Sequence, residues 1–256
     1  MKNLKASIIM STYNKPEVLP NTLMSIARQK TSFPLEVCIV DDLSDIDPEP
    51  IIKKFLPDAK YRRLRKNHGF AFSKNVCLDM VSDDTTIIVP MAADIIMLRD
   101  DAVENLCSRV SDKNIVISEI CNMRVKKDMY LNFDAFSKPI LSDWNGALAK
   151  SLKPNITCRK NMTSWLFFLG AILKKNIIDL GYRQVSCDAV LWQKMAKGGY
   201  SGDLLTTVKA VHQYHKSILI PCKIDNTCAF YCSRTVKNGR WKGRGGRPKI
   251  KPLSLI

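Results

Sequence analysis

The stretch TTIIVPMAADIIML, residues 85–98, contains a short run of apolar and β-branched residues followed by a single carboxylate, Asp94. A run of this length bounded by polar residues is typical of a strand buried inside a sheet. Asp94 stands at the end of that predicted strand, among Ala, Ile and Met. It is therefore either a loop acid of no special consequence or a residue that holds a positive group at a strand end.

The segments around this strand alternate between strand and helix patterns over the first hundred residues. The strands are predicted at ASIIMS, LEVCIV and KYRRLR, residues 6–11, 35–40 and 60–65. Helices are predicted after Pro16, near residues 48–55 and in FAFSKNVCLDMV, residues 70–81. Pro20 is compatible with the first of these helices only within its first turn. Strands alternating with helices imply crossover connections, and they predict an α/β fold with a mostly parallel sheet.

Polar or acidic residues occur where three of the predicted strands end, in STYN at 11–14, DDLS at 41–44 and MAAD at 91–94. In open α/β sheets, ligands bind beyond the carboxyl ends of the strands. These strand ends are therefore the predicted ligand site. Asp41 and Asp42 also fit ordinary turn chemistry, because Asp is common in turns.

The composition, with 46% hydrophobic residues in 256, suits one globular domain with or without an extension. The apolar stretch WLFFLGAIL, residues 165–173, is too short to span a bilayer, and the N-terminus lacks the apolar core of a signal peptide. Nine cysteines without an evident pairing favour reduced thiols. We therefore expect a cytoplasmic protein without a transmembrane segment, and the sequence does not indicate its oligomeric state.

The net charge of +16 predicts an anionic partner, because a field of that sign concentrates nucleotides, nucleic acid or acidic membrane surfaces. Eight Lys and Arg residues and no acid lie between residues 233 and 251, in a Gly-rich segment that predicts a flexible tail. Periodicity fades between residues 120 and 160, which predicts a loop-rich segment. The pattern DAVLWQKMAKGGY, residues 188–200, predicts a helix closed by Gly198 and Gly199.

Several of these segments, taken in order, resemble the family 2 glycosyltransferases of the GT-A fold. VDDLSD, residues 40–45, is similar to the family's VDDGSxD turn, with Leu43 in place of Gly, and NHGFAFSKN, residues 67–75, is similar to NxGxxxARN. CDAVLWQKMAKGGY, residues 187–200, resembles EDxDLxxRxxxxGY, and HQYHKS, residues 212–217, resembles HxxGxS. The resemblance covers most of residues 6–217. It implies a Rossmann-like mixed, mostly parallel sheet flanked by helices.

The resemblance also implies a domain organisation and a donor site. Residues 1–232 would form the GT-A domain, with a nucleotide-sugar-binding half at 1–100 and an acceptor-binding half at 101–232, followed by the basic tail at 233–256. The donor would be a UDP-sugar lying over the first two strands. Tyr13 would cover the base. Lys74 would contact the donor phosphate or sugar, or it could equally lie on a solvated helix face. The implied donor contacts are Thr12, Tyr13, Asn14, Asp41, Asp42, Gly69, Lys74, Asn75 and Ala93.

In the resembled family an Asp-x-Asp motif at the end of the fourth strand holds a divalent metal against the diphosphate. Here that segment reads Ala92-Ala93-Asp94, so that the second acid is present and the first is absent. The resemblance implies that Asp94 and His212 are metal ligands. A carboxylate, an imidazole, phosphate oxygens and water suit Mn²⁺ or Mg²⁺.

Asp188 is the general base that the resemblance implies, at the start of the predicted helix and facing the ligand edge of the sheet. A single base acting in a direct displacement implies inversion at the anomeric carbon. An acid at a helix N-terminus is also favoured by the helix dipole, and the two interpretations of Asp188 are compatible.

Two acceptors are compatible with the sequence. The first is DNA carrying a 5-hydroxymethylpyrimidine, as in phage-type DNA glycosyltransferases, in which case the enzyme would act in the host cytoplasm. GRGGRPK, residues 243–249, loosely resembles the core of minor-groove AT-hooks, and the predicted nucleic-acid contacts are Arg234, Arg240, Trp241, Lys242, Arg244, Arg247 and Lys249. The second is a lipid-linked or polysaccharide acceptor at an anionic membrane surface. An inactive nucleic-acid-binding protein of the same fold is a third interpretation, against which the presence of Asp94, Asp188 and His212 argues.

Overall fold

Four parallel strands form one half of the sheet. The computed structural model describes residues 4–124, 169–180, 194–195 and 197–214. The strands β1 (Ala6–Thr12), β2 (Leu35–Asp41), β3 (Lys60–Arg63) and β4 (Ile87–Ala92) pair in the order β3-β2-β1-β4. Thr12 is level with Asp41, and Ser11 is level with Ala92. The register therefore brings the three polar strand ends to one edge, as predicted.

The second half of the sheet is mixed. It contains β5 (Ile95–Met97), β6 (Asn114–Arg124), β7 (Gly170–Leu173) and β8 (Ser201–Tyr214), and the order continues from β4 as β7-β6-β8-β5. β7 is antiparallel to both β4 and β6, β6 is parallel to β8, and β5 is antiparallel to β8. The β6–β8 register shifts between Ser118, which pairs with Leu205, and Glu119, which pairs with Lys209.

Five helices cover the two faces of the described sheet. They are α1 (Leu19–Ala27), α2 (Glu49–Phe55), α3 (Phe70–Met80), α4 (Ala102–Ser108) and α5 (Lys174–Asp179). Leu19, Leu23 and Ile26 share one buried face of α1, because their spacing matches the helical repeat. Pro20 lies in the first turn of α1, as predicted, where its missing N–H leaves no bond unmade.

Alternating side chains divide the core into two layers. Ile8 and Met10 point to the face covered by α1, α2 and α4, whereas Ile9 points to the face covered by α3 and α5. The same alternation in β2 and β4 buries both faces of the parallel block, which explains why these strands read as continuous apolar runs.

The edge of β4 next to β7 shows how proline is accommodated. The β4–β7 pairs are Ile87 with Leu173 and Ile88 with Ile172, and the next bridge joins Met91 to Leu169. The interval contains Pro90, which has no N–H to donate to a ladder. The strand nevertheless continues two residues beyond the predicted end at Pro90, because β1 pairs with it as far as Ala92.

The helix predicted to end at Gly198-Gly199 is described only at its C-terminal turn. Gly199 has φ +72°, and the N–H of Tyr200 donates to the carbonyl of Met195 at 3.0 Å. This is the hydrogen bond of a Schellman closure, in which Gly avoids the steric cost of a positive φ. Residues 188–193 lie outside the described residues. No helix in the described ranges is long and apolar enough to cross a membrane.

Candidate active site

Asp94, Lys15 and His212 form a charged cluster at the end of β4. Asp94 lies in the turn between β4 and β5 and is only 4% exposed. Its Oδ2 atom accepts a hydrogen bond from the ammonium of Lys15 and lies 3.5 Å from Nε2 of His212. The sequence predicted that Asp94 and His212 would meet, and they do. Lys15 was not predicted to join them.

Strand pairing sets the distance between Asp94 and His212. His212 pairs with Ile95 in the β5–β8 ladder, and the N–H of Gln213 donates to the main-chain carbonyl of Asp94 at 2.8 Å. Because these contacts hold the backbones of Asp94 and His212 next to each other, the two short side chains can meet. The cluster therefore depends on β8, far along the chain from β4.

A buried amide network holds this part of β8 against α1. Nε2 of Gln213 donates to the carbonyl of Val18 at 3.0 Å and to Oγ1 of Thr22 at 3.2 Å, and Nδ2 of Asn21 donates to Oε1 of Gln213 at 3.1 Å. Oγ1 of Thr22 also donates to the carbonyl of Ala93 at 3.1 Å. Asn21, Thr22 and Gln213 were not singled out from the sequence. The available signal was the presence of uncharged polar residues on the face of α1 that also carries Leu19 and Leu23.

Asp41 organises the turn after β2. Its carboxylate accepts from the N–H of Ser44 at 3.0 Å and from the Ser44 hydroxyl at 2.5 Å, and Nε of Arg63 lies 3.5 Å away. Burial raises the pKa of Asp41, against the hydrogen bonds from Ser44 and the charge of Arg63. This is the turn chemistry that the sequence left open for Asp41. Contact with a nucleotide stays a prediction.

Asn14 joins the loop after β1 to the same turn. Its N–H donates to Oγ of Ser44 at 2.9 Å, its Nδ2 donates to Asp45 at 3.2 Å, and its Oδ1 accepts from the N–H of Asp45 at 2.8 Å. Asn14 has φ 48°, a left-handed conformation that Asn tolerates better than most residues. The two predicted donor loops are thereby locked to each other.

Asp42 joins the end of β2 to the loop before α3. Its carboxylate accepts from the N–H groups of His68 at 2.8 Å and Gly69 at 2.7 Å, and its own N–H donates to the carbonyl of Thr12 at 2.9 Å. Burial raises the pKa of Asp42 in spite of these bonds. Gly69 has φ 86°, so a side chain there would be strained.

Tyr13 is partly buried beside these acids. Burial, followed by the charges of Asp45 and Asp42, raises the pKa of its phenol, while a hydrogen bond with Asn67 lowers it. The ring is thus tied to the loop that Asp42 also holds. Thr12 and Ala93 are buried, at 3% and 1% exposure.

Lys74 does not lie on a solvated helix face, which was one of the two placements considered from the sequence. It is fully buried, and its ammonium donates to the carbonyls of Ile9 at 3.0 Å and Met91 at 2.6 Å. The solvated-face interpretation is therefore wrong, because the side chain is buried and its ammonium binds carbonyls of β1 and β4. Contact of Lys74 or the partly buried Asn75 with a donor stays a prediction.

The donor atoms at Asp94 suit a divalent ion in part. Two adjacent ligands of an octahedral ion at about 2.1 Å are separated by about 3.0 Å, and Oδ2 of Asp94 and Nε2 of His212 are 3.5 Å apart. Among the residues described, no group of three or more His, Cys, Asp or Glu could hold a metal. The remaining ligands of such an ion would therefore be phosphate oxygens and water, which is the common arrangement for Mg²⁺.

Asp188 and the predicted nucleic-acid contacts of the tail, from Arg234 to Lys249, lie outside the described residues. Their predicted roles stay predictions. The described site therefore consists of the cluster at Asp94 and the three loops held together by Asn14, Asp41 and Asp42.

Comparison with known proteins identifies the family. The sequence model described as "Glycosyl transferase family 2" matches residues 7–159, more than half of the chain. Among curated proteins, "Uncharacterized glycosyltransferase YfnE" of Bacillus subtilis (strain 168) is 24% identical over 260 aligned residues, which cover 84% of this chain and 66% of YfnE. "Chondroitin synthase" of Pasteurella multocida (strain Pm70) is 27% identical over 205 residues, which cover 75% of this chain and 20% of the synthase.

Solved structures show the same fold. The crystal structure of S. aureus TarS 1-349 in complex with UDP-GlcNAc has a TM-score of 0.58 at 17% identity, covering 83% of this chain and 60% of that one. Mannosyltransferase PcManGT from Pyrobaculum calidifontis, in complex with GDP-Man and Mn²⁺, has a TM-score of 0.56 at 21% identity, covering 83% of this chain and 58% of that one. The predicted GT-A, Rossmann-like sheet is thus confirmed, and the chain belongs to glycosyltransferase family 2.

Proposed function

We propose that this chain transfers a sugar from a UDP-sugar to a hydroxyl group, with inversion at the anomeric carbon. The observation that carries the proposal is the cluster of Asp94, His212 and Lys15 at the carboxyl ends of the parallel strands. The carboxylate and the imidazole are suitable ligands for a divalent ion that accompanies a diphosphate, and the ammonium is a suitable hydrogen-bond donor to the phosphate oxygens. Family membership supports the reaction class.

The donor half of the site is supported by the three interlocked loops. The hydrogen bond that Asn14 donates and those that the carboxylates of Asp41 and Asp42 accept fix the backbones of these loops, so that little ordering is required when a nucleotide binds. In this proposal Tyr13 would cover the base of the nucleotide. TarS, a structural neighbour, was solved with UDP-GlcNAc, and this supports uracil as the base.

Asp94 and His212 would hold a divalent ion, Mn²⁺ or Mg²⁺, against the donor diphosphate. When bound, such an ion supplies a Lewis acid that neutralises the departing diphosphate. PcManGT, solved with GDP-Man and Mn²⁺, supports an ion of this kind. Asp188 would take the proton of the acceptor hydroxyl as general base, and its single carboxylate is the reason for proposing inversion.

For the acceptor we propose a saccharide chain. A relative that matches 75% of this chain carries the name chondroitin synthase, and that name specifies a polysaccharide product. The acceptor half is also positively charged: residues 4–124 contain 16 Lys and Arg against 17 Asp and Glu, whereas residues 125–232 contain 15 against 7, and most of the rest of the net +16 comes from the tail. A basic acceptor half suits an acidic polysaccharide or an acceptor carried on an anionic membrane.

Hydroxymethylated DNA is the second candidate acceptor, and the specific observation that favours it is the tail. Eight Lys and Arg without an acid between residues 233 and 251 would neutralise DNA phosphates, and Arg residues flanked by Gly and Pro suit a narrow minor groove. The names of the relatives give no support to DNA as an acceptor. Removal of residues 233–256 should abolish DNA binding and its salt dependence if DNA is the acceptor, and should leave saccharide transfer intact otherwise.

A matrix of donors and acceptors tests the proposal. The full chain is incubated with Mn²⁺ and each of a panel of UDP-sugars, together with acidic oligosaccharides, neutral oligosaccharides, plain DNA or hydroxymethylated DNA, and products are detected by mass gain. Hexose addition to an oligosaccharide supports the proposal, and addition to hydroxymethylated DNA alone selects the second candidate. A chain that binds DNA and transfers nothing from any donor is an inactive binding protein, and the proposal is then wrong.

A further inference from the structure

We propose that Lys15 is a counter-cation built into the metal site, which holds Asp94 until a donor diphosphate arrives. In consequence, a divalent ion would bind strongly only together with the donor. This inference rests on the proposed function, because it assigns the order in which the ligands of that same site bind. It concerns a residue whose position in the sequence, after the first strand, gave no indication of a role.

The geometry places one oxygen atom between two competing groups. Oδ2 of Asp94 accepts from the Lys15 ammonium, and the same atom faces Nε2 of His212 at 3.5 Å. The Asp94 side chain is 5% exposed, whereas the side chains of Lys15 and His212 are 24% and 22% exposed. The carboxylate is thus buried while both partners reach solvent. The open side of the site is the side from which a ligand enters.

The backbone of Lys15 is fixed while its side chain is long and partly solvated. The carbonyl of Lys15 accepts from the N–H groups of Leu19 at 3.0 Å and Val18 at 3.3 Å, at the start of α1. Its neighbour Asn14 is bonded to Ser44 and Asp45. Because four methylene groups separate the ammonium from this anchored backbone, rotation of the side chain alone can transfer the ammonium from Asp94 to a phosphate oxygen.

Charge balance gives the coupling its sign. Asp94 and Lys15 are neutral as a pair, so binding of a divalent ion at Oδ2 adds two positive charges beside an existing ammonium. The low exposure of Asp94 limits solvent screening of that repulsion. A diphosphate supplies negative charge and accepts charge-assisted hydrogen bonds from the released Lys15. Donor and ion should therefore bind with positive coupling, and by linkage each should raise the affinity of the other equally.

Manganese binding without turnover provides the test. Free Mn²⁺ is titrated by electron paramagnetic resonance against the full chain, in the absence and presence of UDP. Lys15→Gln should raise the affinity for Mn²⁺ alone by about tenfold or more, since the repelling charge is removed. The enhancement of Mn²⁺ binding by UDP should be smaller in this variant than in the wild type. Lys15→Arg keeps the charge and should behave as the wild type.

Lys5→Gln is the matched control. Lys5 also pairs with an aspartate, Asp84, at 2.8 Å, and its side chain is 22% exposed, but that pair lies elsewhere in the structure. Because the variant removes the same net charge, any general electrostatic effect on Mn²⁺ would appear in it too. Equal gains in Lys5→Gln and Lys15→Gln would overturn the inference. Circular dichroism of each variant verifies that the fold is retained.

The outcomes separate this inference from the proposed function. If UDP binds with Mn²⁺ and Lys15→Gln leaves the affinity for Mn²⁺ alone unchanged, the role of Lys15 is wrong and the proposed function stands. If neither the wild type nor any variant binds UDP in the presence of Mn²⁺, the proposed function itself is wrong. Unchanged Mn²⁺ binding in Asp94→Asn would place the ion elsewhere and overturn the inference.

Discussion

Asn21 and Gln213 are 192 residues apart in the sequence, and the amide of Asn21 donates to the amide oxygen of Gln213 at 3.1 Å in the interior. The pair lies directly behind the candidate active site, because Gln213 is the neighbour of His212 and its N–H binds the carbonyl of Asp94. Asn21 lies on α1 and Gln213 on β8. The two ends of the described fold therefore meet at the residues that support the charged cluster.

Gln213→Leu should lower the free energy of unfolding by about 1–3 kcal/mol, because the buried amide of Asn21 and the carbonyl of Val18 lose a partner. Urea denaturation monitored by circular dichroism measures the loss. Asn21→Leu should cost a similar amount, and the double variant should cost less than the sum of the two. Strict additivity would show that the two amides do not interact energetically.

Asp94→Asn should weaken Mn²⁺-dependent UDP binding and sugar transfer by roughly a hundredfold. Mutation of a residue that only supports a metal ligand already lowers metal affinity or activity by about 10–100-fold, and Asp94 is a proposed direct ligand. Isothermal titration with UDP measures the binding. Asp84→Asn, an exposed acid paired with Lys5, is the control and should change neither quantity. Transfer at full rate in excess chelator would remove the proposed role of Asp94 and His212.

Asp188→Asn should retain UDP and Mn²⁺ binding and lose sugar transfer by about 100-fold or more, because only the acceptance of a proton is removed. Single-turnover product formation, set beside UDP titration, separates the two effects. Asp179→Asn, at the exposed end of α5, serves as the control. A fully active Asp188→Asn variant would show that another group is the general base.

Leu43→Gly should stabilise the protein by about 0.5–1 kcal/mol, because Leu43 has φ 67° and a side chain in this left-handed region is strained, an effect only partly offset by the entropy of Gly when unfolded. Leu43→Ala keeps the Cβ atom and should give no such gain. Thermal and urea unfolding of both variants provide the measurement. A destabilised Leu43→Gly variant would show that the 38% exposed leucine side chain contributes packing that outweighs its backbone strain.

Glu36 should make stability depend on acid pH. Burial raises its pKa, but hydrogen bonds from Lys60, Ser82 and Thr85 outweigh burial and lower the pKa to about 2 from 4.5. A folded pKa below the unfolded value contributes stability that is fully present above pH 4.5 and is lost as the pH falls toward 2. Glu36→Gln should make the urea midpoint depend less on pH over this range. Glu17→Gln, which removes an exposed acid, should leave the pH dependence of the midpoint unchanged.

The sequence was sufficient for the order of the first four strands and three helices, because the pattern of buried side chains there is simple. Ile8, Ile9 and Met10 alternate between two cores, and the periodic face of α1 begins at Leu19, so that local periodicity and tertiary burial agree. Asp94 and His212 were placed together by motif resemblance alone. No local pattern in the sequence connects them.

Contacts that depend on the packing of distant turns could not be predicted. Lys15 reads as a polar loop residue, and only the position of the β4–β5 turn brings Asp94 to its ammonium. Lys74 shows the converse, because a lysine on a helix is usually solvated, whereas here two strand carbonyls face the helix and accept its hydrogen bonds. Buried polar groups of this kind follow from the assembled sheet and have no signature in the periodicity.

A register shift between β6 and β8 precedes the segment of β8 that carries His212. Ser118 pairs with Leu205 and Glu119 pairs with Lys209, so β8 contains three residues more than β6 at this place. Beyond the shift the pairing is continuous, and His212 is level with Asn122 of β6 and with Ile95 of β5. Ladders on both sides of β8 therefore hold the backbone of His212 beside Asp94, and we expect a one-residue deletion within 206–208 to be absorbed in the irregular stretch and to leave that contact in place.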